Sequence, residues 1–164
     1  MERPSRKNIR LTDYDYSQEG GYFLTICTHE HRCILARILP GTETEHATVD
    51  LTGFGKIVRD VLCELGNSHG FMLDTYTIMP DHIHMILSIN TDEDGRQVAA
   101  PTVSTIVGHM KRWVSMQIGH SIWQKSFIDR VIRNDQGYHS VWEYIENNPV
   151  KLDTAYDMLD FENM

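Results

Sequence analysis

The sequence predicts an α+β fold: a ferredoxin-like antiparallel sheet with two helices on one face, followed by a third, C-terminal helix. Three observations predict it. Runs rich in β-branched and aromatic residues at 22–28, 71–78 and 82–89 read as strands. Apolar residues recur at helical spacing from Phe54 to Leu65 and from Val103 to Val114. Their order is strand, helix, strand, strand, helix, strand, helix, which places both main helices on one side of the sheet and leaves the other side available.

Taken in order, residues 1–20 are polar and read as an arm or irregular lead-in, closing on the turn signal Glu19-Gly-Gly21. Tyr22-Phe-Leu-Thr-Ile-Cys-Thr28 is the first strand, and a long polar connection runs from about His29 to Asp50. Phe54, Ile57, Val58, Val61, Leu62 and Leu65 form one helical stripe, stopped by Gly66-Asn67. Phe71–Ile78 and 82–89 form a hairpin about Met79-Pro-Asp81. After an acidic loop from Asn90 to Pro101, Val103, Ile106, Val107, Met110 and Val114 trace the second helix, capped by Thr102 or Ser104 and ended by Gly119. Ile122–Ile132 is strand-like but less regular, and a last helix covers 135–149, with Tyr138, Val141, Trp142 and Ile145 as its stripe and Pro149 as its stop. The remaining 150–164 form an acidic tail. The 164 residues suit a single domain.

Composition narrows the function. No apolar run approaches the roughly 20 residues of a spanning helix, and no signal segment follows Met1, so a cytoplasmic protein away from the membrane is expected. Cys27, Cys33 and Cys63 have neither disulfide nor zinc-clip spacing and read as reduced thiols, with Cys27 and Cys63 packed. The net charge of -8 argues against a generic duplex binder. Basic residues nevertheless cluster in two segments: Arg3, Arg6, Lys7 and Arg10, and then Lys111, Arg112, Lys125, Arg130 and Arg133. A polyanion could meet these two segments, although charge runs are more often solvated surface. Tyr14, Tyr16, Trp113 and Trp123 are aromatics near these basic segments, Trp123 being equally suited to the core.

Two features carry chemistry. Side chains alternate along a strand, so His82 and His84 share one face while Ile83, Met85, Leu87 and Ile89 line the other. Two imidazoles so placed can reach one metal ion, though such pairs also occur simply exposed on a sheet. In the last helix Tyr144 lies two residues from Trp142, about 200° around the axis, and is read as off the packing stripe with Asn148 one turn on. A surface tyrosine covering nearby loops would look the same.

An ordered set of segments goes further. Asp13-Tyr-Asp-Tyr-Ser17, Gly21-Tyr-Phe-Leu-Thr-Ile-Cys-Thr28, Gly55-Lys-Ile-Val58, Met79-Pro-Asp-His-Ile-His84, Ser104-Thr-Ile-Val-Gly108, Ile122–Arg133 and Tyr144-Ile-Glu-Asn-Asn-Pro-Val-Lys151 span nearly the whole chain. In that order they resemble the REP-associated tyrosine transposases. Those are single-tyrosine transposases of the insertion-sequence-200-like type, in the HUH (histidine-hydrophobic-histidine) endonuclease superfamily. Arg130 departs from the pattern, since relatives often carry histidine there.

The resemblance implies a single transposase domain over 1–164, with Tyr144 as nucleophile, His82 and His84 as metal ligands, and Asn148 as third ligand. It further implies metal-dependent cleavage and strand transfer of single-stranded or hairpin DNA, at REP-like repeats, through a 5′-phosphotyrosine. Nitrogen and oxygen donors of this kind suit Mn²⁺ readily and Mg²⁺ as well. A domesticated, non-catalytic nucleic-acid-binding module on the same fold, or a metal hydrolase using water, are the competing readings. The sequence is compatible with a monomer or a homodimer.

Overall fold

The computed structural model describes residues 20–41, 47–67, 70–89 and 102–148. The expected arm, the 90–101 loop, Pro149 and the acidic tail lie outside the described residues.

Four strands form one antiparallel sheet: β1 (Gly20–Cys27), β4 (Phe71–Ile78), β5 (His82–Ile89) and β6 (Ile128–Ile132), in spatial order β4-β5-β1-β6. Helices α1 (Gly53–Leu65) and α2 (Val103–Ile118) cover one face, and α3 (Asp135–Glu146) packs against the other. This is the expected α+β arrangement. The helix-covered core takes Tyr22, Leu24 and Ile26 from β1 and Ile83, Met85, Leu87 and Ile89 from β5, against Val58, Val61, Leu62, Val107 and Met110. The odd-numbered residues of β5 are therefore spoken for, and its even-numbered ones face α3.

Helix ends follow local chemistry. Thr52 caps α1 through Gly55 N at 3.1 Å, Thr102 rather than Ser104 caps α2 through Thr105 N at 3.2 Å, and Asn134 caps α3 through Gly137 N at 2.7 Å. Gly119 ends α2 in the left-handed region at φ 93°. Gly55 matters differently: a Cβ there would stand 2.0 Å from the Leu35 carbonyl oxygen, so only glycine lets α1 lie this close to the chain at Leu35.

Several expectations are corrected. The polar connection contains two strands, β2 (Ala36–Leu39) and β3 (Thr48–Leu51), paired as a separate ribbon. Ile122–Ile132 is a strand only from Ile128, because the chain from Gln124 to Ser126 turns its carbonyls to the Lys111 ammonium, at 2.7, 3.5 and 3.1 Å, instead of to a neighbouring strand. Cys63 is exposed rather than packed, since it falls off the α1 stripe. In β4 a bulge between Leu73 and Thr75 shifts the core face from Phe71 and Leu73 to Tyr76 and Ile78.

Candidate active site

The sheet register assembles the site. His84 lies opposite Thr25 of β1 and Thr77 of β4, and His82 lies opposite Cys27. Directly opposed residues point to the same face, so Thr25, Cys27 and the two histidines stand together on the side away from α1 and α2. The rings of His82 and His84 converge, with Nε2 atoms 3.1 Å apart.

Each ring is held from behind. His82 Nδ1 is 2.7 Å from Asp81 Oδ1, and His31 Nδ1 is 3.0 Å from the other carboxylate oxygen. His84 Nδ1 is 2.9 Å from Thr25 Oγ1. Asp81 is buried and its backbone carbonyl accepts from both the amide and the hydroxyl of Thr28, at 2.8 and 3.0 Å, which fixes the turn before β5.

The third element arrives on α3. Val141 and Ile145 pack on Phe23 and Ile86. Asp74, in the β4 bulge, accepts hydrogen bonds from Tyr138 Oη at 2.9 Å and Ser88 Oγ at 2.5 Å, and Thr75 donates to Glu146 at 3.3 Å, tying both ends of the helix to the sheet. So anchored, α3 sets the Tyr144 ring 5.4 Å from the His84 ring and edge-on to Phe23 at 6.1 Å, centroid to centroid within one chain. Tyr144 is thus not turned away from the packing face. The 200° separation is measured from Trp142, at the far edge of the stripe; Val141, at its near edge, is only three residues from Tyr144, which borders the stripe on the histidine side. Asn148, just beyond the helix, is buried, and its Nδ2 has no hydrogen-bond partner among the described residues.

Electrostatics follow from burial. Desolvation, and then the neighbouring His82, push His84 down to about 3 against the pull of Asp81, so its ring is neutral at ordinary pH. Burial works to raise Asp81, but its bonds to His82 and His31 outweigh that and hold the carboxyl below its usual range. Burial raises the Tyr144 phenol, opposed by the Asn148 side chain. Desolvation and the bond to Asp74 push Tyr138 up to about 12.

The other sequence candidates scatter. Arg3, Arg6, Lys7, Arg10, Tyr14 and Tyr16 lie outside the described residues. Lys111 is half-buried among the three carbonyls named above, and desolvation brings it down to about 8. Arg112 and Trp113 are exposed on α2, with the sheet between them and the histidines. Lys125 and Arg133 are exposed beside β6, and Arg130 stands opposite Phe23 on the histidine face. Trp123 is in the core. Sequence reasoning missed Asp81, Thr25 and His31 as supports. Asp81 had a signal, a carboxylate directly before His82, but it passed as a turn residue; Thr25 and His31 became visible only with the register.

Among the described residues no three His, Cys, Asp or Glu side chains are grouped to hold a metal ion. The donors at hand are two imidazole nitrogens and the Asn148 amide. No helix among the described residues is long and apolar enough to cross a membrane.

Comparison with known proteins agrees with this architecture. An uncharacterized protein of Haemophilus influenzae is 26% identical over 165 aligned residues, covering 88% of each chain. A REP-associated tyrosine transposase of Escherichia coli is 25% identical over 108 residues, 62% of this chain and 58% of that one. A solved REP-associated tyrosine transposase bound to a REP hairpin shares the fold, with a TM-score of 0.58, 22% identity, and coverage of 86% of this chain and 74% of that one. The family model described as "Transposase IS200 like" matches residues 42–148, well over half of the sequence and including the histidine strand, α3 and Asn148. The chain belongs to that transposase family.

Proposed function

We propose that this protein is a metal-dependent DNA transesterase that cuts and rejoins single-stranded DNA at REP-like hairpins, with Tyr144 as nucleophile. The observation that carries the reading is the approach of the Tyr144 ring, 5.4 Å from His84, to a pair of imidazoles whose Nε2 atoms lie 3.1 Å apart. The DNA partner is inferred from family membership and from the hairpin bound by the solved relative.

The residues fit a divalent ion. The two imidazoles converge, with their Nε2 atoms 3.1 Å apart, so one ion could be held by both. The buried Asn148 amide has an unpartnered end, and because the two ends of an amide exchange by a flip, that end can be the oxygen. His82, His84 and Asn148 would hold the ion, and so few protein donors match Mn²⁺ or Mg²⁺, which keep positions for water and phosphate oxygen. Such an ion supplies charge neutralisation at the phosphate and fixes its geometry.

The chain's own residues do the rest. Tyr144 Oη bonds to phosphorus as its proton leaves, and the 3′-oxygen departs and is protonated, leaving a 5′-phosphotyrosine and a free 3′-hydroxyl. The number of phosphoester bonds is conserved, so an incoming 3′-hydroxyl reverses the step without ATP. Burial keeps the phenol protonated at neutral pH, so its activation belongs to the bound complex rather than to the free protein. Phe23 holds the ring edge-on and limits its swing.

Incubation with labelled hairpin DNA and Mn²⁺, followed by a denaturing gel, tests the reading. A covalent protein–DNA band is expected, lost in Tyr144→Phe with hairpin binding retained, and lost in His82→Ala. Persistence of the band in Tyr144→Phe would overturn the nucleophile. Binding with no cleavage in either metal would favour a non-catalytic DNA-binding protein, and cleavage yielding only protein-free product would favour a water-using hydrolase.

A further inference from the structure

Resting on that reading of the site, we infer that the DNA strand presented to Tyr144 lies on the open sheet surface between α3 and β6, with Ile128 under a base and Arg130 on a phosphate.

The path is set first by the way the tyrosine edge of α3 faces. Residues 144 and 146 stand about 200° apart around a helix. Glu146 accepts a hydrogen bond from Thr75, so its edge of α3 faces β4. Tyr144 occupies the other edge, with its ring against Phe23 of β1, the strand that pairs with β6. Charge divides the same way. Asp135, Glu143 and Glu146 fall within about 80° of one another around the axis, and Tyr144 is about 100° or more from each. The edge that bears Tyr144 carries Gly137 and Ser140 as well, and neither is charged. A phosphate chain arriving along β4 meets carboxylates; one arriving along β6 does not.

Among the described residues the floor on the β6 side is open. Ile132, Arg130 and Ile128 share the histidine face of β6, in register with Gly21, Phe23 and Thr25. Ile132 packs into the α3 cluster, whereas Ile128 is 38% exposed, so the cover given by α3 ends between them. Thr25 pairs with both Ile128 and His84, which puts Ile128 two strand spacings, about 10 Å, from His84. Arg130 is exposed about 7 Å along the strand from Ile128, beside the Phe23 ring that Tyr144 meets edge-on. Asp129, the acid between them, turns to the opposite face and is buried there. Lys125 adds an exposed cation just before the strand. In a chain of net charge -8 this is a local cationic strip with an exposed apolar side chain in its floor. Single-stranded DNA offers the matching surface, phosphate charge alternating with apolar base faces.

Fluorescence anisotropy with a labelled oligothymidylate, in EDTA so that nothing is cut, tests the path as salt is varied. Each phosphate contact removed should lower the slope of log affinity against log salt by about 0.7. Arg130→Gln should lose that much and Arg130→Lys should keep it, a split that a purely structural role for Arg130 does not give. Arg112→Gln, with the sheet between it and the site, should leave the slope unchanged. Ile128→Trp adds a stacking platform and should tighten binding about 5-fold or more, a gain that misfolding cannot produce. An unchanged slope in Arg130→Gln, no tightening in Ile128→Trp, or no binding by the parent would overturn the inference. Tighter binding by Glu146→Gln with Arg130→Gln unaffected would also overturn it, by moving the strand to the β4 side. The chemistry is read separately, by the covalent band formed with hairpin DNA and Mn²⁺. If the anisotropy results are as expected and the parent forms no band, the path stands and the transesterase reading falls. If a band forms through Tyr144 while Arg130→Gln keeps the parent slope, the transesterase reading stands and the path falls.

Discussion

The two faces of the sheet are built from the same strands and could hardly differ more. Toward α1 and α2, β1 and β5 present Leu24, Ile26, Ile83, Met85 and Leu87, all fully buried in one apolar cluster. Toward α3 the same strands present Thr25, Cys27, His82 and His84, and the apolar contact shrinks to Phe23, Ile86, Val141 and Ile145 with a few partly buried neighbours. One face supplies the burial that folds the chain. The other is held by particular polar bonds, Asp74 to Tyr138, Asp81 to His82 and Thr25 to His84, and such bonds add modest net stability while fixing position. Period-2 alternation lets one strand serve both purposes, because a residue's face depends only on its parity.

Substitutions on the two faces should separate folding from chemistry. Leu87→Ala on the apolar face is expected to destabilise by about 2–5 kcal/mol, measured by urea unfolding, with site geometry intact in the molecules that stay folded. Gly55→Ala, whose new Cβ meets the Leu35 carbonyl at 2.0 Å, should cost at least about 1–3 kcal/mol without touching the histidines. On the other face, Tyr138→Phe removes a bond to the half-buried Asp74 carboxylate, and about 1–3 kcal/mol is expected, together with loosening of α3 seen as faster amide exchange from Val141 to Ile145.

A pH experiment on metal-free protein sharpens the contrast. The folded pKa of His84 lies at about 3, below the ordinary histidine value of 6.5. The unfolded chain therefore binds the extra proton first, and stability present above about pH 6.5 is lost as pH falls toward 3. Urea titrations should give a slope of at most about 1.4 kcal/mol per pH unit from this one group, reduced in His84→Gln and unchanged in Leu87→Ala. The smallest stability effect belongs to Tyr144→Phe: about 1 kcal/mol or less, with complete loss of the covalent adduct. A variant that lost stability and adduct together would break the division between the faces.

Much of this was legible beforehand, for identifiable reasons. The β5 alternation names its own two faces, and the stripes of α1 and α2 name theirs, since parity and helical period are local properties. Tyr144 lies off the stripe when measured from Trp142, at its far edge, and borders it when measured from Val141, at its near edge; which edge of α3 meets the histidines depends on the Asp74 anchor. The β2–β3 ribbon was hidden because its strands are four residues each, in a polar stretch. Lys111 read as a surface charge, and its carbonyl partners lie 13 to 15 residues away.

By itself the sequence determined the order of the main strands and helices, the faces of the histidine strand and the transposase resemblance, because these rest on neighbours along the chain. Only the tertiary structure decided that Thr25 stands behind His84, that Asp81 is shared by His31 and His82, and that the Tyr144 ring lies beside that of His84. Those contacts join residues up to about 60 positions apart, and strand register, the Asp74 bulge and the docking of α3 fix them together; none of the three is a local property of the chain.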